Sequence, residues 1–388
     1  MEVVLRFLSL GAFVVSAACG ADAGDGAVRT VLARDSVSTP VDSATKALVL
    51  QARAYDRADN LDSARILYEQ AAKQMPQVQD WLWLRAAGVP RARNGRGNLL
   101  GRIALPVAKD RVKPTEAIAL ERSGDVPSAI AAYTAIGDRL AAIRLRMLVP
   151  SDTAKMKDAR DSLVEFLKRP GSAQSARDGI ALFDKVYKDA TPAENLTIAR
   201  AAYAGGSAAR AAASYSKAFT GGPGTSRDHF DDGLMLARLD RDKEAMTEFA
   251  KVSSPAGLAA AAKYQRARAM IALGQREAAR TALRSITTAY PNDTSSASSL
   301  LLLADLATDD NRDDDARAAF IAAAKRFPRA RHAPLALFKA GLIAYINGDY
   351  RQAAGELDSV VAQYPQADDA LAAAYWSGKS WNARGDTA

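Results

Sequence analysis

Few residues of this chain have the types and the spacing that catalysis or metal binding requires. The 388 residues include one cysteine and two histidines, His229 and His332, which lie far apart in the sequence. The acidic run at 309–315 lacks the glycine and the glutamate that a helix-loop-helix calcium loop needs at its sixth and twelfth positions. A zinc site and a Ser-His-Asp triad are equally unsupported. We therefore predict no catalytic residue, no metal site and no cofactor.

The N-terminal segment predicts export. Arg6 precedes an apolar run at 7–15 that is too short to span a membrane, and three small residues then lead to Cys19. The Ser-Ala-Ala-Cys ending resembles a bacterial lipobox, and this resemblance implies that Cys19 is acylated and becomes the new N-terminus. We expect residues 1–19 to be a signal peptide and Cys19 to be the lipidation site. Ordinary cleavage beside an incidental cysteine is the alternative.

The composition predicts an all-α protein behind a flexible tether. Helix-forming residues dominate, and the alternation of β-branched residues that marks strands is missing. Residues 20–43 are rich in small and polar residues without helical periodicity, so we expect a linker there. The net charge of +8 comes from lysines and arginines scattered along the chain. Scattered charge favours solvated surfaces, and with the export signal it argues against a nucleic-acid partner.

The strongest pattern is a ladder in which a small residue, a large apolar residue, a further small or apolar residue and a proline recur at fixed offsets. The second residue follows the first by four positions and the third comes three later, so all three share one helix face. A small residue also lies twelve positions upstream of each set. Five complete sets and one without proline occur: Ala64-Tyr68-Ala71-Pro76, Ala211-Tyr215-Ala218-Pro223, Ala279-Leu283-Ile286-Pro291, Ala316-Phe320-Ala323-Pro328, Ala353-Leu357-Val360-Pro365 and Ala245-Phe249-Val252. The later sets are 34 or 37 residues apart, which is typical of an α-solenoid of helical hairpins.

These positions resemble the tetratricopeptide repeat family. Small residues let the two helices of a hairpin approach closely, the large residue fills the groove to the next hairpin, and proline cannot continue the second helix. The family's slots match at Ala52, Tyr55, Ala64, Tyr68, Ala71 and Pro76. We therefore predict an all-α superhelix, a tetratricopeptide-like solenoid, with N-terminal hairpins at 44–150 and a C-terminal superhelix at 151–388. An alanine-rich helical bundle is the alternative.

In solenoids of this type the first helix of each hairpin lines the concave face. Counting from the small slots places six candidate binding residues there: Tyr264, Arg268, Phe338, Tyr345, Tyr375 and Lys379. Aromatic faces stack on sugar rings, and the cations pair with carboxylates such as those of peptide stems. Ordinary packing between repeats and surface charge is the alternative for each of them.

A second resemblance covers most of the chain from about residue 45. The segments 80–87, 120–125 and 374–379, the last reading Ala-Tyr-Trp-Ser-Gly-Lys, follow the order found in the helical superhelix of soluble lytic murein transglycosylases. The resemblance implies a scaffold that positions peptidoglycan for a catalytic module. That module's Glu-Ser pair is missing, because no glutamate here precedes a serine, and the Gly-Leu-Met at 233–235 is followed by leucine. The chain therefore has no catalytic motif of that family, and whether the intact gene product is an enzyme stays open.

The phase of the repeats predicts that the last hairpin is incomplete. Gly378 lies 37 residues after Gly341, so the small residue of its second helix is expected at about position 390, beyond Ala388. We expect a longer gene product or a separate partner domain. The preferred function is the non-catalytic, peptidoglycan-binding scaffold of a lytic-transglycosylase-like protein, exported to the periplasm and anchored by its lipid to the outer membrane. The alternative is a tetratricopeptide adaptor lipoprotein that binds envelope proteins in outer-membrane assembly or envelope division.

Overall fold

The computed structural model describes residues 43–88, 98–147 and 153–385. These residues form α-helices joined by short turns, and no strand occurs among them. The predicted signal peptide at 1–19, its Cys19 and residues 20–42 of the predicted linker lie outside the described residues, as does the predicted boundary at 150.

The helices are numbered here in chain order. They are α1 (Ser43–Arg57), α2 (Leu61–Gln74), α3 (Gln79–Ala87), α4 (Pro106–Lys109), α5 (Val112–Arg122), α6 (Val126–Ala135), α7 (Arg139–Arg146), α8 (Thr153–Lys168), α9 (Ala173–Val186), α10 (Pro192–Ala204), α11 (Ala208–Ala218), α12 (Ser226–Arg238), α13 (Asp242–Ala250), α14 (Ala256–Ala272), α15 (Arg276–Ala289), α16 (Thr294–Asp309), α17 (Asp313–Arg326), α18 (Ala333–Ile346), α19 (Tyr350–Gln363) and α20 (Ala370–Ala383).

The described chain divides into two compact units. The N-terminal unit contains the described residues between 43 and 171 together with 178–188, and the C-terminal unit contains 172–177 and 189–385. Helix α9 begins in the C-terminal unit and continues in the N-terminal one.

The C-terminal unit is a row of helical hairpins. Helices pair as α10–α11, α12–α13, α14–α15, α16–α17 and α18–α19, and the second helix of each pair also packs on the first helix of the next pair or, at the end, on α20. Each hairpin buries its apolar stripe only by stacking on its neighbours. This arrangement confirms the predicted all-α solenoid of helical hairpins.

The ladder residues form the core of these hairpins. Ala353 and Leu357 of α19 have no exposed surface, and the same holds for the corresponding residues of α15. The glycine slots explain how closely the paired helices pack. A Cβ atom on Gly341 of α18 would lie 2.6 Å from Cγ of Leu357, and one on Gly233 of α12 would lie 2.6 Å from Cε1 of Phe249. The absence of a side chain at these two slots therefore sets the distance between the helices.

A residue in the left-handed conformation closes each hairpin turn. The φ angles are 75° at Gly206, 57° at Asp240, 76° at Gly274, 56° at Asn311 and 82° at Gly348. These residues are 34, 34, 37 and 37 positions apart, which is the spacing of the ladder. Glycine, asparagine and aspartate are the residues that tolerate this conformation best. The turn is therefore specified by residue type at every repeat of this unit.

The N-terminal unit contains the same kind of hairpin twice. Ala64 and Tyr68 of α2 are buried against α1, as the ladder predicts. Helices α5 and α6 form a second hairpin through the buried Ala117, Ala129 and Tyr133, which have the ladder offsets of twelve and four. No proline follows this set at the ladder position, and the set is not among those that the sequence pattern identified.

Candidate functional site

Side chains from four successive first helices of the C-terminal unit form two groups of contacts, which we together call the first-helix row. Helices α14, α16, α18 and α20 contribute to it. Its members are Tyr264, Arg268, Asp305, Lys339, Tyr345, Tyr375, Trp376 and Lys379. Five of the six residues predicted from the sequence belong to this row.

One part of the row is charged. The Lys339 ammonium lies 2.8 Å from Oδ1 of Asp305 and so joins α18 to α16. Tyr264 on α14 is half-buried, and burial raises the pKa of its hydroxyl, with the cation of Arg268 lowering it and the carboxylate of Asp305 raising it. Arg268 is exposed, and its guanidinium donates to Gln265 one turn earlier at 3.1 Å. This part therefore presents both signs of charge beside a phenol.

The other part of the row is aromatic. The ring centroid of Trp376 lies 5.1 Å from that of Tyr345 and 5.6 Å from that of Tyr375, both in edge-on arrangements. The Lys379 ammonium lies 5.7 Å from the centroid of Tyr375, whose side chain is 59% exposed. Edge-on aromatic pairs and a cation near a ring face are favourable geometries. These contacts leave much of the Tyr375 ring exposed, so the ring is available to a ligand.

Helix α20 is held in place by a carboxylate of the preceding helix. Asp358 of α19 accepts a short hydrogen bond from the Ser377 hydroxyl and a second one, of 3.1 Å, from the indole nitrogen of Trp381. Ser377 is buried, so this contact orients the helix that carries Tyr375 and Lys379. Asp358 and Trp376 contact the predicted residues or their helix, and the ladder did not predict them because neither occupies one of its slots.

The structure separates the six predicted residues into three groups. Tyr345, Tyr375 and Lys379 come together around Trp376, and Tyr264 lies close enough to Arg268 for their charges to interact. Phe338 is half-buried and packs against the hydrophobic core of the last hairpins. The binding role of all six stays a prediction.

The acidic run at 309–315 lies in the turn between α16 and α17, and its first residues pair with arginines of α15. Arg276 donates to Asp310 at 3.1 Å and to Asp309 at 3.3 Å, and Arg280 forms a short ion pair with Asp310. These ion pairs therefore stabilise the packing of the α14–α15 hairpin on the α16–α17 hairpin. Among the described residues no group of three or more histidine, cysteine or acidic side chains is placed to hold a metal ion.

A buried acidic cluster lies on α12, outside the first-helix row. His229 and Glu248 of α13 are joined by a contact of 2.7 Å between Nδ1 and Oε2. Asp232 is only 4% exposed, and its Oδ1 atom has no hydrogen-bond partner in the described chain. Burial, and secondarily the charge of Glu248, raise the pKa of Asp232 to about 7. The hairpin therefore carries a carboxyl group that titrates near neutral pH.

The comparison with protein families agrees with the repeat architecture. A family model described as tetratricopeptide repeat matches residues 261–293 and 335–367. A search of curated proteins finds no significant match. Among solved structures, this chain is similar to YrrB, titled a TPR protein with an unusual peptide-binding site, with 18% identity over 50% of this chain and 97% of that one and a TM-score of 0.36. It is also similar to the APC/C hetero-tetramer Cut9-Hcn1, with 14% identity over 89% of this chain and 71% of that one and a TM-score of 0.34. A third similar structure is the TPR domain of P58(IPK), with 13% identity over 89% of this chain and 99% of that one and a TM-score of 0.25.

The two matched segments fall on hairpins that carry the first-helix row. Residues 261–293 run from within α14 to the end of α15, and residues 335–367 contain most of α18 and all of α19. The fold is that of a helical-repeat protein, and the tetratricopeptide-repeat model matches two of its hairpins. In the described part of the chain, no helix combines the length and the apolar character needed to cross a bilayer.

Proposed function

We propose that this chain is a non-catalytic binding scaffold whose first-helix row holds an extended segment of a partner protein. The observation that carries the proposal is that contacts join side chains of successive first helices. The ion pair between Lys339 and Asp305 joins α18 to α16, and the contact between Tyr345 and Trp376 joins α18 to α20. A preorganised array of this kind presents a long surface with little loss of conformational freedom on binding.

The chemistry of the row supports a polypeptide ligand. Both signs of charge occur around Arg268 and Asp305, and aromatic rings follow further along the row. An extended peptide offers polar and apolar side chains in alternation together with a polar backbone. Such a ligand can satisfy the charged part and the aromatic part of the row at the same time.

A second candidate ligand is a peptidoglycan strand, favoured by the surroundings of Tyr375. The exposed ring of this residue suits stacking on a sugar, and the neighbouring Lys379 suits the carboxylates of a peptide stem. In this case the chain is the scaffold of a lytic-transglycosylase-like protein, and a separate catalytic module supplies the chemistry.

The cell envelope is the proposed site of action for either ligand. The apolar run at 7–15 and the small residues before Cys19 support export to the periplasm and acylation of Cys19. The acyl chains would anchor the scaffold to the outer membrane. For the protein-binding function, the partners are then envelope proteins, such as those of outer-membrane assembly or envelope division.

The two ligands can be separated by one binding experiment. The chain comprising residues 20–388 is incubated with isolated murein sacculi in one arm and with envelope proteins in the other. A double variant, Tyr375→Ala with Lys379→Ala, is compared with the wild type. The matched control is Arg284→Ala with Arg351→Ala, since both of these exposed arginines lie on second helices.

The outcomes are distinct. Saturable retention on sacculi that the row variant loses and the control keeps would favour the peptidoglycan scaffold. A stoichiometric protein complex with the same dependence would support binding of a partner protein by the row. If neither kind of binding responds to the row variant while circular dichroism shows all variants to be folded, the row is not the binding surface.

A further inference from the structure

A cavity of about 540 Å³ opens in the C-terminal unit and shares no residue with the first-helix row. It lies between the N-terminal half of α16, the end of α17 and the loop 327–332 that leads into α18. Its apolar lining is contributed by Ala297, Leu301, Ala323, Phe327, Pro328, Ala330 and Ala333. Two hydroxyl groups, those of Thr294 and Ser298, also face it. A cavity of this size is large enough for one or two apolar side chains of a ligand.

Basic side chains without a partner among the described residues line one side of this cavity. Arg329, Arg331 and His332 are exposed, and none of the three forms a side-chain hydrogen bond or an ion pair with another residue of the described chain. Other basic residues nearby have partners: Arg317 pairs with Glu356, and Arg326 donates to the backbone carbonyl of Thr287 at 3.0 Å. The charge on the loop arginines is therefore not needed to hold the hairpins together.

No carboxylate of the same segment offsets this charge. Residues 316–348 contain six lysines and arginines and no aspartate or glutamate. The acidic group that precedes the cavity, Asp293, already caps α16 by accepting from the amide of Ser295 at 2.7 Å. The rim of the cavity therefore has a local excess of positive charge next to an apolar interior.

The loop that carries the arginines is held by hydrogen bonds. The amide of Ala330 donates to the carbonyl of Phe327 at 2.9 Å, and the amide of Ala333 donates to that of Ala330 at 2.9 Å. From the next hairpin, the Tyr364 hydroxyl donates to the carbonyl of Pro328 at 3.0 Å. Because the loop is already ordered, a ligand does not have to supply the free energy for ordering it.

We propose that this cavity binds an acidic segment of a protein partner, which inserts apolar side chains into the cavity and places carboxylates on Arg329 and Arg331. Charge complementarity selects the carboxylates, since each guanidinium can donate two parallel hydrogen bonds to one of them. The apolar lining selects a peptide over a nucleic acid, whose phosphates would leave the cavity unfilled. The proposal concerns residues outside the first-helix row and does not depend on the function proposed for that row.

Fluorescence anisotropy with a defined probe tests this site in the chain 20–388. The probe is a labelled peptide with two central leucines flanked on each side by two glutamates. One comparison peptide has glutamines in place of the glutamates, and a second has alanines in place of the leucines. We expect each change to weaken binding about tenfold or more, because both the charge and the apolar side chains contribute.

Three variants of the protein complete the test. Arg329→Glu with Arg331→Glu is expected to weaken binding of the acidic peptide by about tenfold or more. Ser298→Trp fills the cavity without changing the charge and is expected to weaken it by a similar factor. Arg284→Glu with Arg351→Glu makes the same change in net charge on exposed residues of second helices, and binding is expected to change less than about twofold.

Several results would overturn the proposal. The proposal is wrong if the acidic peptide does not bind the folded wild type. It is also wrong if the matched control loses as much affinity as the loop variant. Vesicles of phosphatidylglycerol serve as a comparison, and binding of these vesicles through Arg329 and Arg331 without peptide binding would identify a lipid site instead. Loss of peptide binding in the Tyr375→Ala, Lys379→Ala variant would show that the peptide binds the first-helix row instead of the cavity. If the cavity does not bind the acidic peptide, the test of the first-helix row is unaffected.

Discussion

Substitution of alanine for the same repeat glycine in two successive first helices should have unequal effects on stability. Gly341 of α18 and Gly378 of α20 are 37 residues apart and occupy the same slot. A Cβ atom on Gly341 would lie 2.6 Å from Cγ and 2.9 Å from Cδ2 of Leu357, which is fully buried. A Cβ atom on Gly378 would meet no heavy atom within 4 Å.

The magnitudes follow from two opposing terms. Alanine in place of glycine inside a helix stabilises it by about 1 kcal/mol, and this gain is common to both sites. Forcing a methyl group into a packed interface costs about 1–3 kcal/mol, and this cost applies only at Gly341. We therefore expect Gly378→Ala to stabilise α20 by about 1 kcal/mol and Gly341→Ala to lie about 1–3 kcal/mol below it in stability.

Hydrogen–deuterium exchange read by mass spectrometry is the suitable assay, because repeat arrays open locally rather than all at once. Peptides from α18 and α19 should exchange faster in Gly341→Ala than in Gly378→Ala, and peptides from α20 should be protected in the latter. Adding Leu357→Ala should make the loss from Gly341→Ala vanish, since the clashing side chain is gone. Equal effects of the two glycine substitutions would refute the close-packing argument.

Three further predictions concern the core and the buried charges. Phe320→Ala should destabilise the C-terminal unit by about 3–5 kcal/mol in urea unfolding, because the ring is 2% exposed. The pKa of Asp232 is raised from 3.8 to about 7, so between these pH values the folded state binds one proton more than the unfolded state. Wild-type stability should therefore fall as pH rises from about 4 to about 7. Asp232→Asn should remove this slope and stabilise the protein at pH 8 by up to about 4 kcal/mol, and an unchanged slope would contradict the assignment. Arg200 donates to both oxygens of the buried Asp228 at 2.7 and 2.8 Å. Burial raises the pKa of Asp228, but the hydrogen bonds from Arg200 and Thr225 together lower it by more, so the net shift is downward. Arg200→Ala should therefore cost about 1–3 kcal/mol at neutral pH, and the loss should shrink as pH falls below the usual carboxyl pKa; a loss that is the same at all pH values would speak against the ion pair.

The repeat architecture could be predicted because its slots depend on local side-chain size. Ala64, Tyr68, Leu283 and Leu357 all occupy ladder positions, and all of them are buried in the structure. Small and large residues at fixed helical spacing leave few ways to bury a stripe other than stacking hairpins. The hairpin of α5 and α6 follows the same rule without the proline.

The turns carried a second periodic signal in the sequence. Asp240 and Asn311 take the place of glycine in turns that need a left-handed residue, and they recur at the ladder spacing. Glycine, asparagine or aspartate at that position predicts the turn within each hairpin of the C-terminal unit. The same rule gives the acidic run at 309–315 its position in a turn.

Contacts across hairpins could not be predicted from one sequence. Asp305 and Lys339 are 34 residues apart, and Tyr345 and Trp376 are 31 apart, so only the stacking brings them together. The same is true of Asp358, whose two hydrogen bonds orient α20. Ladder spacing places Phe338 on a first helix, but its packing against the core depends on the neighbouring hairpins.

Photo-crosslinking in the native cells would show directly whether the first-helix row is the binding surface. A photoreactive phenylalanine analogue is placed at Arg268 or Tyr375 on the row, and at Arg284 or Arg351 on second helices. All four residues are exposed, so the fold should tolerate each replacement. We predict that the two row positions crosslink to one common partner and that the two second-helix positions do not. Crosslinking of that partner from the second helices with equal yield would contradict the proposed function.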